Sequence, residues 1–133
     1  MAVAVELARI LIRETEDSHI VELRETDGER SFPIMIGLHE AAAIERRLMN
    51  VDPPRPQTHE LLSQMVEALG ASVEKVVICD LRNGTFFARL HLRHDDKLID
   101  IDCRPSDAIA MGVAKEVPIF VEDHVFDEIF STE

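Results

Sequence analysis

The segment from Val76 to Cys103 reads VVICDLRNGTFFARLHLRHDDKLIDIDC, and it decides the fold. Asn83-Gly84 and Asp95-Asp96 each separate two runs in which apolar and polar residues alternate. Alternation at period two is typical of half-buried strands, and Asn-Gly is the strongest short-range sign of a two-residue hairpin turn. The segment therefore predicts three antiparallel strands joined by two tight turns.

The register of these strands follows from counting away from the turns, and it sorts the side chains by polarity. The predicted partners are Arg82–Thr85, Asp80–Phe87, Ile78–Arg89, His91–Asp100 and Arg89–Asp102. One face is then apolar and is predicted to be the core: Val77, Cys79, Leu81, Phe86, Ala88, Leu90, Leu92, Ile99, Ile101 and Cys103. The other face is mostly polar: Val76, Ile78, Asp80, Phe87, Arg89, His91, Asp100, Asp102 and Arg104. A solvated sheet surface explains this polar face as well as a functional site does.

The first half of the chain predicts three strands and two helices. Alternation indicates strands over residues 3–12, 19–25 and 32–36, and Pro33 indicates either an edge position or a bulge in the third strand. A helix follows Gly37, with Ala41, Ile44 and Leu48 as its buried stripe. In the second helix, which Thr58 is predicted to cap and Gly70 to end, Leu62, Met65, Val66 and Leu69 keep the helical spacing.

The last part of the chain predicts a short helix, a strand and a final helix. Arg104-Pro105-Ser106-Asp107 opens the short helix, with Ser106 as its predicted cap. A buried strand spans residues 117–121, and a helix begins at Asp123. The order is β-β-β-α-α-β-β-β-α-β-α, which predicts an α+β fold with a mixed, mostly antiparallel sheet. At 133 residues, we expect a single domain over residues 1–133.

Composition excludes several classes of protein. The formal charge of −12 argues against a protein that holds nucleic acid by a large basic surface. No apolar run approaches the ~20 residues of a membrane span, and no basic region precedes an apolar core at the N-terminus. We therefore expect a cytoplasmic protein. Cys79 and Cys103 are predicted to be reduced and buried, because their strands lie too far apart for a disulfide.

Two segments carry candidate functional residues. Residues 55–60 place a cation, a hydroxyl, an imidazole and a carboxylate at a helix N-terminus, where unpaired amides favour anions. Residues 102–107 do the same for the short helix, and Asp80 could join that group from the neighbouring strand. We predict that the two segments meet in one cleft and form an anion site. The alternative is that each only caps its own helix.

Five segments of the chain, in order, resemble the bifunctional nuclease domain family, long catalogued as a domain of unknown function. They read FPIMIGLHEAAAI from Phe32, RPQTHELL from Arg55, GTFFARL from Gly84, DCRPSDAIA from Asp102 and PIFV from Pro118. Together they span about residues 5–125. Departures from the family pattern are mild: Glu60 replaces Asp, Cys103 replaces Ala, and Met111-Gly112 replaces Leu-Ala.

The resemblance implies hydrolysis of the phosphodiester bonds of DNA, RNA or both. It implies catalytic residues (Glu40, His59, Asp102 and Asp107) and substrate-binding residues (Arg55, Thr58, Arg104 and Ser106). Asp102 and Asp107 would hold Mg²⁺ or Mn²⁺, because carboxylate oxygens are the ligands that these ions prefer. His59 would act as general acid or base, and the arginines would stabilise charge on the phosphate.

A second function stays open on the sequence alone. The chain carries no phosphate loop, no zinc pattern and no G-x-S-x-G, so a non-catalytic module that docks a partner protein or a small anion is the alternative to a nuclease. We also expect a homo-oligomer, most simply a dimer. Phe126, Ile129 and Phe130 form an apolar group near the C-terminus that either the chain's own sheet or a second subunit could cover, and two-fold dimers are the commonest closed assembly.

Overall fold

The structure is a computed structural model, and it describes residues 2–13 and 18–131. Its elements follow the predicted order, which confirms the α+β fold. The strands are β1 (Ala2–Leu11), β2 (His19–Glu25), β3 (Ser31–Ile36), β4 (Ala71–Arg82), β5 (Thr85–His94), β6 (Lys97–Cys103) and β7 (Ile119–Glu122). The helices are α1 (Leu38–Leu48), α2 (Thr58–Ala68), α3 (Pro105–Val113) and α4 (Asp123–Phe130).

The strands form one sheet in the order β3-β2-β1-β7-β4-β5-β6. Only the β4–β7 pairing among these neighbours is parallel, because α3 carries the chain back across the sheet between β6 and β7. β3 lies at one edge, which is one of the two possibilities that Pro33 indicated, since an edge strand does not need the missing backbone donor. The sheet is therefore mixed and mostly antiparallel, as expected.

The hairpin registers are confirmed next to the turns and wrong farther along β4. Arg82 pairs with Thr85 and Asp80 with Phe87, and every predicted β5–β6 pair is present. However, a β-bulge lies between Ile78 and Asp80, so Ile78 faces Ala88 rather than Arg89. The extra residue, Cys79, reverses which side chains point inward.

The bulge corrects the predicted core face of β4. Val76 and Ile78, assigned to the polar face from the uninterrupted register, are fully buried beside Leu90 and Ala88. Val77 lies on the opposite face, across from Arg89. Parity counted from a turn holds only as far as the first bulge, and the sequence contains no residue type that would announce this one.

Most of the buried hydrophobic residues in the described ranges form one core cluster, which does not include Val77 on the opposite face of the sheet. The sheet curls around it: the ring of Phe32 on β3 lies 5.7 Å from that of Phe86 on β5, although four strands separate β3 from β5 in the sheet order. This curl brings the β3 edge, the β4–β5 turn and the start of α3 to the same end of the domain. The candidate functional residues lie at that end.

Two helices expose apolar residues that the spacing predicted differently. Leu48 of α1 is exposed, and its place in the core is taken by Ala43 and Arg47. α2 turns its polar side inward, so its exposed apolar residues form a stripe: Leu61, Leu62, Met65 and Leu69, with 40–72% of each accessible. We call these four residues the α2 stripe. Ile99 and Ile101 of β6 are also more than one-third exposed, because β6 is an edge strand.

The C-terminal helix packs against its own chain. Phe126 is buried, and Ile129 and Phe130 are partly buried against the core. The rings of Phe126 and Phe130 both contact Phe32. These residues therefore do not need a second subunit to cover them: of the two arrangements that the sequence left open, the structure has the one in which α4 packs on its own chain. The homo-oligomer itself stays a prediction.

In the described part of the chain, no helix is both long enough and apolar enough to cross a membrane.

The two cysteines are free, and both are half-buried rather than fully buried. Each lies near a carbonyl of β5: the Cys79 thiol contacts that of Phe87, and the Cys103 thiol contacts that of Ala88.

Candidate functional site

α3 begins at a rigid step that fixes the direction of Arg104. Pro105 occupies the first helical position, where its missing N–H costs nothing, and the residue before a proline prefers extended backbone. Arg104 has φ −76° and ψ 148°, and it is the N-terminal flanking residue of the helix. Ser106, predicted to be the cap, lies inside the first turn, and no side chain caps the helix.

The N-cap of α2 is Gln57, one residue before the predicted cap Thr58, which is the first residue of the helix. The Gln57 side chain accepts a hydrogen bond from the third residue of the helix, Glu60, whose carboxylate accepts one from the Gln57 backbone. This reciprocal capping box fixes the first turn and turns His59 inward, where the residue is 9% exposed. The Q-x-x-E spacing was a signal that could have identified the cap.

The two helix starts meet, which confirms the predicted convergence of the two segments. Nε2 of His59 lies 3.0 Å from Oδ1 of Asp107, 48 positions along the chain. Arg104 holds the same carboxylate with two hydrogen bonds of 2.9 and 3.2 Å, and its Nη2 reaches Oε2 of Glu40 at 3.2 Å. We call Glu40, His59, Arg104 and Asp107 the polar cluster. It joins the first turns of α1, α2 and α3.

Gly37 makes room for the Glu40 member of the cluster. It precedes α1 with extended backbone, and the Glu40 side chain folds back over it. A Cβ at position 37 would collide with Oε1 of Glu40. The glycine thus lets the carboxylate lie where Arg104 can reach it.

The cluster keeps Asp107 ionised. Burial alone would raise the pKa of Asp107, but the hydrogen bonds from Arg104 and His59 outweigh it, so the net pKa is lowered. The hydrogen bonds and the charge of Asp107, with a smaller contribution from Glu40, raise the pKa of Arg104. Asp107 is therefore an anion at neutral pH that accepts protons in hydrogen bonds, and Arg104 stays charged.

Arg104 retains hydrogen-bonding capacity toward solvent. Its side chain is 65% exposed, and its Nη1 bonds to no described residue. Guanidinium groups bind phosphate oxygens through such free donors. Arg104 can therefore hold the cluster together and still present donors to an anion.

Two further arginines support the site from α1, and sequence reasoning missed both. Arg46 donates to the Glu60 carboxylate from Nε at 2.8 Å and from Nη2 at 3.1 Å, and the pair is largely buried. Arg47 is 7% exposed and donates to the carbonyl of Ala110 and to the hydroxyl of Ser63, both at 2.6 Å. Burial lowers the pKa of Arg47. The two arginines tie α1 to α2 and α3 behind the polar cluster.

An open cleft of about 1030 Å³ lies beside the cluster. It is bounded by β3, the β4–β5 turn and the start of α3, and Arg104 and Ser106 line it. Of the predicted site residues, the structure therefore brings together Glu40, His59, Arg104 and Asp107, with Ser106 on the neighbouring wall.

Other predicted residues lie apart from the cluster. Asp102 faces Arg89 on the outer face of the sheet, because its neighbour Cys103 points to the core. Arg55 and Thr58 are exposed and make no hydrogen bond or ion pair with the residues that the structure describes. Asp80 pairs with Arg82 at 2.7 Å.

A metal ion has no assembled ligand set in this arrangement. Among residues 2–13 and 18–131, no group of three or more His, Cys, Asp or Glu side chains is placed to hold one. Asp102 and Asp107 belong to different faces, and the Arg104 guanidinium bridges Asp107 and Glu40. The geometry thus gives no support to the predicted magnesium or manganese ion, which stays a prediction.

Comparison with known proteins gives the chain its family. The bifunctional nuclease domain matches residues 21–132. An uncharacterized protein of Mycobacterium tuberculosis (strain H37Rv) is 41% identical over 121 residues, which are 91% of this chain and 72% of that protein. Bifunctional nuclease 1 of Oryza sativa subsp. japonica is 27% identical over 118 residues, 86% of this chain and 36% of its own length.

A second plant relative, Bifunctional nuclease 2 of Arabidopsis thaliana, is 30% identical over 97 residues, 71% of this chain and 30% of its own length. The plant proteins are therefore much longer than the part that this chain matches. The domain match covers most of the chain, and it agrees with the α+β fold and with the resemblance seen in the five segments. This chain belongs to the bifunctional nuclease domain family.

Proposed function

We propose that this protein hydrolyses phosphodiester bonds of nucleic acid at the polar cluster. The observation that carries the proposal is the contact of His59 with Asp107, held by Arg104 beside an open cleft. Family membership supports the same activity, since the plant relatives are named nucleases. A titratable imidazole, an ionised carboxylate and a guanidinium with free donors are the groups that phosphodiester hydrolysis needs.

In this proposal Asp107 orients the imidazole rather than transferring a proton. Its lowered pKa keeps it ionised at neutral pH, so it accepts the Nε2–H of His59. The lone pair of the imidazole then lies on Nδ1, which can take a proton from the attacking water as its oxygen bonds to phosphorus. The ester bond between phosphorus and the leaving oxygen breaks, and the leaving oxygen takes up a proton from solvent. Arg104 binds the non-bridging oxygens of the phosphate and stabilises the charge that grows on them.

Glu40 keeps Arg104 in place during this chemistry. Its carboxylate accepts from Nη2, so the guanidinium is held from two sides, by α1 and by α3. Holding a cation before the substrate arrives removes part of the ordering cost of binding. Glu40 is thus assigned as a positioning residue.

A second candidate is a non-catalytic module that binds an anion or a partner protein. Two observations favour it: the described residues assemble no metal-ligand group, and the protein carries a net charge of −12, which repels nucleic acid at long range. In this role the same Arg104 and Ser106 would bind the anion without cleaving it. The activity of point variants separates the two candidates.

The test is cleavage of fluorescently labelled single-stranded DNA and RNA by highly purified protein. We expect His59→Gln and Asp107→Asn to lower the rate by at least about 100-fold, since each removes a member of the proton-transfer pair. His124→Gln and Asp52→Asn are the matched controls, because both residues are exposed and lie outside the cluster. Equal rates in all four variants would assign the activity to a contaminant and favour the binding module.

The predicted metal ion is tested in the same assay. The rate is measured in EDTA and after addition of Mg²⁺ or Mn²⁺. Cleavage that EDTA abolishes and Mn²⁺ restores would support the metal prediction and would require Arg104 to move from the carboxylates. Cleavage that persists in EDTA would support hydrolysis by the side chains alone.

A further inference from the structure

The cleft beside the polar cluster differs in charge from the rest of the protein. The net charge of the chain is −12, yet among the described residues that line the cleft Arg104 alone is charged. Thr85 and Ser106 contribute hydroxyl groups on its walls. The walls of the cleft therefore carry one cation and no carboxylate, although the Arg104 guanidinium is also paired with Asp107 and Glu40 behind the wall.

Two helices begin at the cleft and direct free amides toward it. The first backbone hydrogen bond of α1 runs from Ala41 to Gly37, and that of α3 runs from Ala108 to Arg104. The amides of the preceding residues have no partner within their own helix, which makes each N-terminus partly positive. Gly37 and Ser106 both line the cleft, so both termini border the same space.

Ser106 presents a hydroxyl to the cleft. The residue is 5% exposed and lines the cleft, and its hydroxyl bonds to no described residue. Most polar groups of buried residues are hydrogen bonded within the protein. The Ser106 hydroxyl at the start of α3 is instead free to donate to an acceptor bound in the cleft.

The other end of the cleft is apolar. Pro33, Met35 and Phe86 form its walls, and Met35 is 70% exposed. The Phe86 ring is fixed from behind by Phe32, at a centroid distance of 5.7 Å. An aromatic ring beside a thioether is a surface on which a planar, polarizable ring packs well.

We propose that the cleft binds a nucleoside monophosphate unit, either free or at the end of a single strand. The phosphate lies on the amides of α3, the Ser106 hydroxyl and Arg104, and the base packs against Met35 and Phe86. A volume of about 1030 Å³ accommodates a ligand of this size. The choice of a nucleotide rests on the proposed function, whereas the binding requires no cleavage.

Single strands and free nucleotides fit this site better than a duplex does. Bases within a duplex are stacked and paired, so they cannot enter a cleft unless they are flipped out. The acidic surface around the cleft also repels the dense charge of a duplex more strongly than one phosphate. The site thus selects unpaired nucleotides.

The test is isothermal titration calorimetry in EDTA with adenosine monophosphate, inorganic phosphate and adenosine as separate probes. We expect adenosine monophosphate to bind at least about tenfold more tightly than either part alone. Ser106→Ala should lower the affinity for adenosine monophosphate about tenfold, because a hydrogen bond to a charged group is lost. Met35→Ser should lower the affinity for adenosine monophosphate but leave the affinity for inorganic phosphate unchanged.

The matched control is Ser72→Ala, since Ser72 is exposed on β4 and does not line the cleft. Thermal unfolding should be the same in Ser106→Ala as in the unchanged protein, because the hydroxyl has no partner to lose. No binding of adenosine monophosphate at millimolar concentration would overturn the proposal. Equal affinities in Ser106→Ala and the unchanged protein would overturn it too.

Competition by a 5′-phosphorylated tetranucleotide decides the source of the ligand. Displacement of adenosine monophosphate assigns the site to strand ends, and its absence assigns it to the free nucleotide. The result of this binding test does not depend on the result of the cleavage test. Nucleotide binding without any cleavage would reject the nuclease and retain the cleft, whereas cleavage without nucleotide binding would reject the cleft alone.

Discussion

Nε2 of His59 and Oδ1 of Asp107 lie 3.0 Å apart, although one residue belongs to α2 and the other to α3. The contact exists because two helices begin at the same place, each fixed by its own first turn. Gln57 and Glu60 fix α2, and Pro105 fixes α3. An imidazole and an ionised carboxylate are thereby held in contact before any ligand binds, which is the arrangement expected of an oriented acid–base group.

Asp107→Asn should reveal the contribution of this carboxylate to stability. Its lowered pKa means that it stabilises the fold above its unfolded-state pKa, near 3.8, and that this contribution is lost as the pH falls through the native pKa. We expect the variant to be less stable by about 1–3 kcal/mol at pH 7. The difference should shrink below pH 4, as measured by urea unfolding at both pH values. A difference that stays constant down to pH 2.5 would contradict this account.

Gly37→Ala should displace the Glu40 carboxylate without unfolding the chain. The new methyl group would occupy the position of Oε1, and the side chain can move because its end is flexible. We expect the ion pair of Glu40 with Arg104 to be lost at a cost below about 1 kcal/mol, because the arginine is exposed. A double-mutant cycle with Glu40→Gln measures the coupling. Additive effects of the two substitutions would show that Gly37 has no role in placing Glu40.

Arg47→Lys should destabilise the protein although it keeps the charge. The guanidinium donates to Ala110 and Ser63 at once from a buried position, and an ammonium group cannot reproduce that fork. We expect a loss of about 1–3 kcal/mol in the free energy of unfolding. Arg93→Lys is the control, since Arg93 forms an exposed pair with Glu74 and should lose under about 0.5 kcal/mol. Equal losses in the two variants would refute a structural role for the buried arginine.

Cys103 should react slowly with thiol reagents in the folded protein. Burial, with a smaller contribution from Asp107 and Asp102, raises its pKa to about 11, so only about 0.1% is thiolate at pH 8. Its alkylation rate in a Cys79→Ser variant should rise steeply up to about pH 11, and unfolding in urea should abolish the protection. Fast alkylation of the folded variant at pH 8 would contradict the burial.

Light scattering at micromolar concentration tests the predicted homo-oligomer. Because α4 packs its phenylalanines against its own chain, we expect any contact between copies to involve the α2 stripe, whose four side chains are 40–72% accessible. Leu61→Lys combined with Met65→Lys should then yield a monomer with unchanged secondary structure. A monomeric unchanged protein would remove the prediction of an oligomer.

The sequence by itself determined the order of the elements and both tight turns, and it limited β3 to an edge position or a bulge. These are local properties: Asn83 and Gly84 adopt positive φ values of 51° and 79°, which the turn requires, and Pro33 cannot donate to a central strand. The family segments also identified Glu40, His59, Arg104 and Asp107, and the expectation that two helix starts converge is confirmed by the contact between them.

Only the tertiary structure decided which candidates lie together. The bulge at Cys79 reversed the faces of β4, and strand alternation sent Asp102 to the opposite side of the sheet from Asp107. The burial of Arg47 and the exposure of the α2 stripe depend on how α1 and α2 pack on α3. Spacing along one helix predicts which residues share a face, but the packing of its neighbours decides whether that face is buried.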